Sequence, residues 1–301
     1  MTVSARARLR RILVRLGGLV VVGAFVAPAA GMAVAAAADS PRTTYYLALG
    51  ASESLGVQPT AANGHAVPTD HGYANALLAM ERNRWPGLQL VHFGCPGITA
   101  QAALAGGGPC NFADGSEVKA AVDFLRGHPG QTVLATVDLG FNDLWPCLVH
   151  RTVDATCVGT ALDRVARAVP VVLRDLRAAG GPGMHVVGLL HNDPYLAAYL
   201  HGAIGRAFSA AALSAVDRLN ATLTAAYAHA GVPVANVPSA FSLGTSSPAE
   251  IAGEQTVPLD VAKVCALSWM CRQHNLHLNA AGYAAIARVV AAAVPPSPHA
   301  R

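Results

Sequence analysis

The chain is poor in charge and in aromatic rings. Only 13% of its residues are Asp, Glu, Lys or Arg, and 6% are Phe, Trp or Tyr. It has no internal repeat, which excludes solenoids and propellers. It has no second long apolar run beyond the first forty residues, so no further membrane-spanning helix is expected. A basic surplus is also missing once the leader is set aside. Arg6, Arg8, Arg10, Arg11 and Arg15 all precede residue 39, and without them 16 basic residues face 17 acidic ones. The formal charge is then −1, so nothing in the balance points to nucleic acid.

What is present at the start is a targeting segment. The five arginines form a basic region, Leu16 to Val34 is almost wholly apolar, and Ala36-Ala37-Ala38 supplies small residues before Asp39. Residues 1–38 are therefore read as a signal peptide and the chain as secreted, an uncleaved tether to the cell surface being the alternative. The remaining 263 residues, rich in Ala, Val and Leu, can bury one large core. One domain is expected over 39–294, followed by a Pro-rich tail over 295–301.

Six cysteines in an exported chain read as disulfides. They fall in neighbouring pairs: Cys95 with Cys110, Cys147 with Cys157, and Cys265 with Cys271. Fifteen connectivities are open, and neighbour pairing closes the shortest loops. The rival reading is a metal site, because Cys265, Cys271, His274 and His277 form a C-x5-C-x2-H-x2-H run, although zinc-finger cysteines usually lie closer together.

Apolar runs alternate with helical patterns after residue 43. Strands are predicted at Thr44–Leu49, Gln89–Phe93, Thr132–Leu139, His185–Leu190 and Val232–Val237. A helix with Leu162, Val165, Val169, Val172 and Leu176 on one face is interrupted by Pro170, which should kink or split it. Another places Ile204, Phe208, Ala212, Val216, Leu219, Leu223 and Tyr227 inward, and the last runs from about Ala280 to Ala293. Gly56–His71, Leu104–Gly115 and Ser239–Trp269 read as long irregular stretches. This alternation predicts an α/β protein, a flavodoxin-like three-layer sandwich around a five-stranded parallel sheet of order 2-1-3-4-5. Its functional crevice lies beyond the carboxyl ends of strands 1 and 3.

Three motifs follow the first three strands. They are Gly50-Ala51-Ser52, then Cys95-Pro96-Gly97-Ile98-Thr99, then Gly140-Phe141-Asn142-Asp143. A fourth, His277-Leu278-Asn279-Ala280-Ala281-Gly282-Tyr283, opens the final helix. Ser52 is expected at a strand-to-helix turn, where a helix N-terminus favours developing negative charge. Taken in order, the four blocks resemble the SGNH (GDSL-type) hydrolase superfamily over the whole mature chain. They are most similar to its secreted actinobacterial esterases and lipases, whose three short-range disulfides match the cysteine pairs here.

Acyl transfer needs a nucleophile, a base and donors aimed at the tetrahedral oxyanion. The resemblance and this chemistry assign Ser52 as nucleophile and His277 as base. The oxyanion donors are the backbone N–H groups of Ser52 and Gly97 and the side-chain amide of Asn142. Plainer readings stand beside these: Gly97 as a turn glycine, Asn142 as a helix cap, and Asp143 as a cap or supporting partner. Trp145 and Trp269 would line the pocket mouth or pack on disulfides.

Two departures from the family pattern concern Ala51, where an Asp is usual, and His274, where the third triad member is usual. A Ser–His dyad is therefore expected, with a backbone carbonyl of residues 272–276 orienting His277. Leu144, Trp145, Leu189, Leu190, Tyr195 and Leu196 are expected to line an apolar pocket. The reading is hydrolysis of lipid or short-acyl carboxylic esters through an acyl-serine, by a monomer with no cofactor or metal. Its partners are a small-molecule or lipid ester and, transiently, a lipid surface. The alternatives are a carbohydrate O-acetyl esterase and an inactive binding module on the same fold.

Overall fold

The computed structural model describes residues 42–60, 64–251 and 255–296. The signal-peptide assignment and most of the Pro-rich tail lie outside the described residues. Five largely apolar runs form the central sheet: β1 (Thr44–Gly50), β2 (Leu88–His92), β3 (Thr132–Asp138), β4 (His185–Leu189) and β5 (Val234–Ala235). Their order is β2-β1-β3-β4-β5 and every neighbouring pair is parallel, as the alternation predicted. Among the described residues ten α-helices accompany them: α1 (Tyr73–Glu81), α2 (Ala100–Ala105), α3 (Glu117–Gly127), α4 (Phe141–Leu144), α5 (Ala155–Gly180), α6 (Gly202–His229), α7 (Val237–Ala240), α8 (Leu259–Leu267), α9 (Met270–Gln273) and α10 (Ala280–Ala293).

The pleat divides β1 between two cores. Leu47 and Leu49 face the layer containing α2, α3, α5 and α6, whereas Tyr46 and Ala48 face the layer of α1, α8 and α10. Because both faces are covered, the strands read as continuous apolar runs rather than alternating ones. Tyr46 and Tyr73 keep their hydroxyls satisfied inside this core through Thr136 Oγ1, at 2.9 and 3.3 Å.

Four expectations are revised. Pro170 does not split its helix, since α5 runs unbroken for 26 residues with Val165, Val169, Val172 and Leu173 fully buried around it. Packing of that face outweighs the one intrahelical hydrogen bond that proline forfeits. Ile204 does not face inward; it lies in the first turn of α6 and is 72% exposed. The stretch Ser239–Trp269 is largely regular. It carries an antiparallel hairpin, β6 (Pro248–Ile251) with β7 (Gln255–Pro258), and then α8. Finally, no α-helix follows Ser52. Residues 51–56 form a tight turn closed by Val57 N–H to Ser52 O at 3.1 Å and Ser54 Oγ–H to Ala51 O at 2.7 Å. The helix-dipole argument therefore does not apply to this serine.

Candidate active site

The carboxyl ends of β1, β2 and β3 are drawn together by backbone hydrogen bonds. Cys95 N–H donates to Gly50 O at 2.8 Å, and Ala51 N–H donates to Asp138 O at 3.1 Å. Gly50 makes this closeness possible. Its φ is +131°, and a Cβ there would lie 2.2 Å from Asp138 O. Ala51 has no side-chain acceptor to brace the turn, and acids from elsewhere supply contacts around it. The buried Glu117 of α3 accepts the Gly50 N–H at 2.6 Å, and Asp143 Oδ2 accepts the Ala100 N–H at 2.8 Å, tying α4 to the start of α2. Burial pushes Asp143 up to about 6 and raises Glu117 well above the usual carboxylate range.

Ser52 and Asn142 line one pocket with Ala51, Glu53, Phe141 and Leu276. Asn142 donates one amide N–H to Ile98 O at 3.0 Å. That bond fixes the amide plane and leaves the second N–H available. Gly97, two residues after Cys95, takes φ +80°, a backbone state that favours glycine.

His277 follows Leu276, a residue of the Ser52 pocket wall. Among the described residues no hydrogen bond joins Ser52 Oγ to His277. The orienting group is not a backbone carbonyl but the side chain of Asn275. Its Oδ1 lies 3.0 Å from the His277 backbone N and 2.8 Å from Nδ1. A backbone N–H can only donate, so the atom meeting it is the amide oxygen, and Nδ1 must carry a proton. Nε2 is thereby left with the lone pair, which is the tautomer a general base requires. Burial lowers His277 from its ordinary value to about 4, so the imidazole is neutral at pH 7. His274, at the position three before, does not take part. It adopts a left-handed backbone (φ 51°) and lines a different cavity.

The segment bearing His277 is held on both sides. Ser268 and Leu278 form an antiparallel bridge, Trp269 N–H donates to His277 O at 2.9 Å, and Asn279 caps α10 by accepting the Gly282 N–H at 3.0 Å. Trp269 Nε1–H reaches Gln58 Oε1 at 3.3 Å, so its role is to brace this segment. The disulfides pair as the neighbouring reading has them: Cys95–Cys110, Cys147–Cys157 and Cys265–Cys271. Bonding Cys265 to Cys271 removes the sulfur ligands that the alternative metal reading needed.

A group the sequence did not suggest forms the pocket floor. Glu53, Asp138 and His191 bring one ligand atom each to within 4.8 Å of one another, the one set among the described residues that could hold a metal ion. His191 Nε2 meets Leu139 O at 3.1 Å, and since a carbonyl only accepts, that nitrogen bears the proton. Nδ1 then faces Asp138 Oδ1 at 3.6 Å. Asn220 clamps the His191 backbone, accepting its N–H at 2.8 Å and donating to its carbonyl at 2.9 Å. Burial raises both carboxyls; the Asp138 charge raises Glu53 further, while the facing His191 and the Ser54 backbone hold Asp138 back.

The expected apolar lining is not there. Leu144, Leu189 and Leu196 are core residues, Trp145 is 43% exposed, and Tyr195 lines the neighbouring cavity. Leu190, half-buried, packs against the α5–α6 core.

A parallel sheet of this order, with three of the four blocks at the carboxyl ends of β1, β2 and β3, is the three-layer α/β/α fold of a GDSL-type hydrolase. The chain belongs to the GDSL-like lipase/acylhydrolase family, whose profile matches residues 48–285. Among solved structures it is similar to the extracellular lipase from Streptomyces rimosus, with 17% identity, a TM-score of 0.52, and coverage of 84% of this chain and 100% of that one. It is also similar to the lipase Lip_vut3 from a goat rumen metagenome, with 16% identity, a TM-score of 0.51, and coverage of 83% and 97%. At these identities the likeness establishes the fold. No curated protein matches the chain.

Proposed function

We propose that the chain is a secreted serine hydrolase of short-acyl carboxylic esters, working through Ser52, His277 and Asn275. The observation that carries this reading is the Asn275 Oδ1 contact to His277 Nδ1, which leaves Nε2 as the basic nitrogen on the residue next to Leu276, a wall residue of the Ser52 pocket. Ser52 Oγ attacks the ester carbonyl carbon while its proton passes to His277 Nε2. The oxyanion that forms is met by the N–H groups of Ser52 and Gly97 and by the free amide N–H of Asn142. The tetrahedral species collapses, the C–O bond to the alcohol breaks, and His277 returns the proton to the departing oxygen. Water then attacks the acyl-serine by the same route in reverse. An amide oxygen fixes the tautomer as a carboxylate would, while stabilising the imidazolium less.

The acyl group is short. The cavity beside Ser52 measures about 20 Å³, room for little more than about one water molecule. The same observation keeps carbohydrate O-acetyl esters as the second reading. Three disulfides suit an oxidising compartment, and among the described residues no helix is long and apolar enough to cross a membrane. A fluorophosphonate probe should label wild type and leave Ser52→Ala unlabelled. That variant should lose about 10⁴- to 10⁶-fold in kcat. Nitrophenyl acetate should outrun the butyrate and octanoate esters. Labelling at another serine, or Ser52→Ala with activity within a few-fold of wild type, would overturn the assignment.

A further inference from the structure

Next to the Ser52 pocket lies a larger cavity of about 300 Å³ that the reaction does not use. The two share a wall, since Pro194 and Leu276 face the first while Tyr195 and His274 face the second. Its floor is apolar: Leu148, Ala197 and Phe208 are buried there, beside Met270 and Leu200. Its rim is cationic or cationisable: His150, Arg151, His201 and His274, all exposed. No Asp or Glu lines it, and none of these four rim groups takes part in an ion pair among the described residues. Tyr195, the other titratable group facing in, is held up at about 12 and stays neutral.

The backbone around this cavity is unusual. Four non-glycine residues have left-handed φ among the described residues, and three of them, His150, Arg151 and His274, are on this rim. Each such conformation is strained and persists only where the surroundings enforce it. Two disulfides do so: Cys147–Cys157 closes the loop that bears His150 and Arg151, and Cys265–Cys271 braces the helix that ends at His274. An apolar floor under an unpartnered cationic rim suits a molecule with a single apolar chain and an anionic head.

We propose that this cavity binds such an amphiphilic anion, a carboxylate or phosphate on an alkyl chain, independently of the chemistry at Ser52. The chain lies on Leu148, Phe208 and Met270, and Arg151 with the three histidines meets the head. The test is calorimetry at pH 7 on the full Ser52→Ala chain, where a hydrolytic role cannot interfere. Dodecanoate should bind saturably with micromolar Kd, and neutral dodecanamide and chainless acetate each at least tenfold more weakly. Arg151→Gln, an exposed change that leaves the core intact, should erase the preference for the anion. Ala198→Trp, which fills the cavity, should abolish binding, circular dichroism confirming its fold. Equal affinity for dodecanoate and dodecanamide, or an Arg151→Gln variant that binds dodecanoate as wild type does, would overturn the proposal. Sedimentation with phosphatidylglycerol vesicles without saturable binding of monomeric dodecanoate would also overturn it, making the rim a membrane-facing surface.

Discussion

Replacing Asn275 by Asp converts a dipole into a full charge at the one atom that orients the candidate base. The side chains are nearly isosteric, so the 2.8 Å contact to His277 Nδ1 is retained. Two opposite charges about 4 Å apart at an effective dielectric of about 20 attract by roughly 4 kcal/mol. At about 1.36 kcal/mol per unit this raises the imidazole by about three units. His277 should therefore move from about 4 to about 7. Because the base must be neutral, the acid limb of kcat/KM for nitrophenyl acetate should lie near 4 in the wild type and near 7 in Asn275→Asp. At pH 8, where both are neutral, the variant should equal or exceed the wild type. Asn275→Ala removes a hydrogen bond to a group that becomes charged in the transition state. Such bonds contribute about 1.5–3 kcal/mol, so kcat should fall about ten- to a hundredfold with KM little changed. An acid limb that stays near 4 in Asn275→Asp would refute the reasoning, because the titrating base would then not be the ring that Asn275 holds.

Other outcomes follow from the same geometry. Asn142→Ala should lower kcat about 10²- to 10³-fold with KM nearly unchanged, read by steady-state kinetics with a nitrophenyl ester, because its free N–H is used only by the oxyanion. Asp138→Asn should cost far less activity than His277→Ala, since Asp138 faces His191 rather than the base; equal losses would make Asp138 the third member of a different triad. Burial raises Asp193 to about 7. Its contribution to stability is full below the ordinary carboxylate value and is lost as pH rises toward 7. His277 acts in the opposite sense, its contribution being present above 6.5 and lost as pH falls toward 4. The difference in Tm between wild type and Asp193→Asn, followed by calorimetry from pH 4 to 8, should isolate the carboxyl. It should move in favour of the variant as pH rises, and an unchanged difference would refute the burial argument.

Sequence periodicity located the sheet well because strands covered on both faces leave short apolar runs between helical patterns, and β1 to β4 match their predicted spans within a residue at each end. It served less well where packing decides. Pro170 is carried inside α5 by the burial of Val169, Val172 and Leu173, and Ile204 keeps the helical phase of α6 but lies before the face that meets the core. Asn275 escaped notice because the search was for a carboxylate three residues before the histidine. The signal was present two residues before it, in a short polar side chain able to reach back to its neighbour's ring. Glu53, Asp138 and His191 come from three distant segments, and no spacing in one sequence links them. The misplaced lining residues show a related limit: hydrophobicity marks Leu144, Leu189 and Leu196 as buried without saying whether protein or ligand buries them.

The three disulfides span 15, 10 and 6 residues, and none crosses the sheet. Each instead fastens a loop beside one of the functional blocks: the Gly97 turn, the loop after Asn142, and the helix before His277. Reduction would therefore slacken the site while leaving the central layers assembled. A chain folded before oxidation would keep its sheet and lack the bracing of the loops that carry the proposed site. Thiol oxidation would then complete the proposed site in a compartment where these bridges can close, after the layers around it have formed.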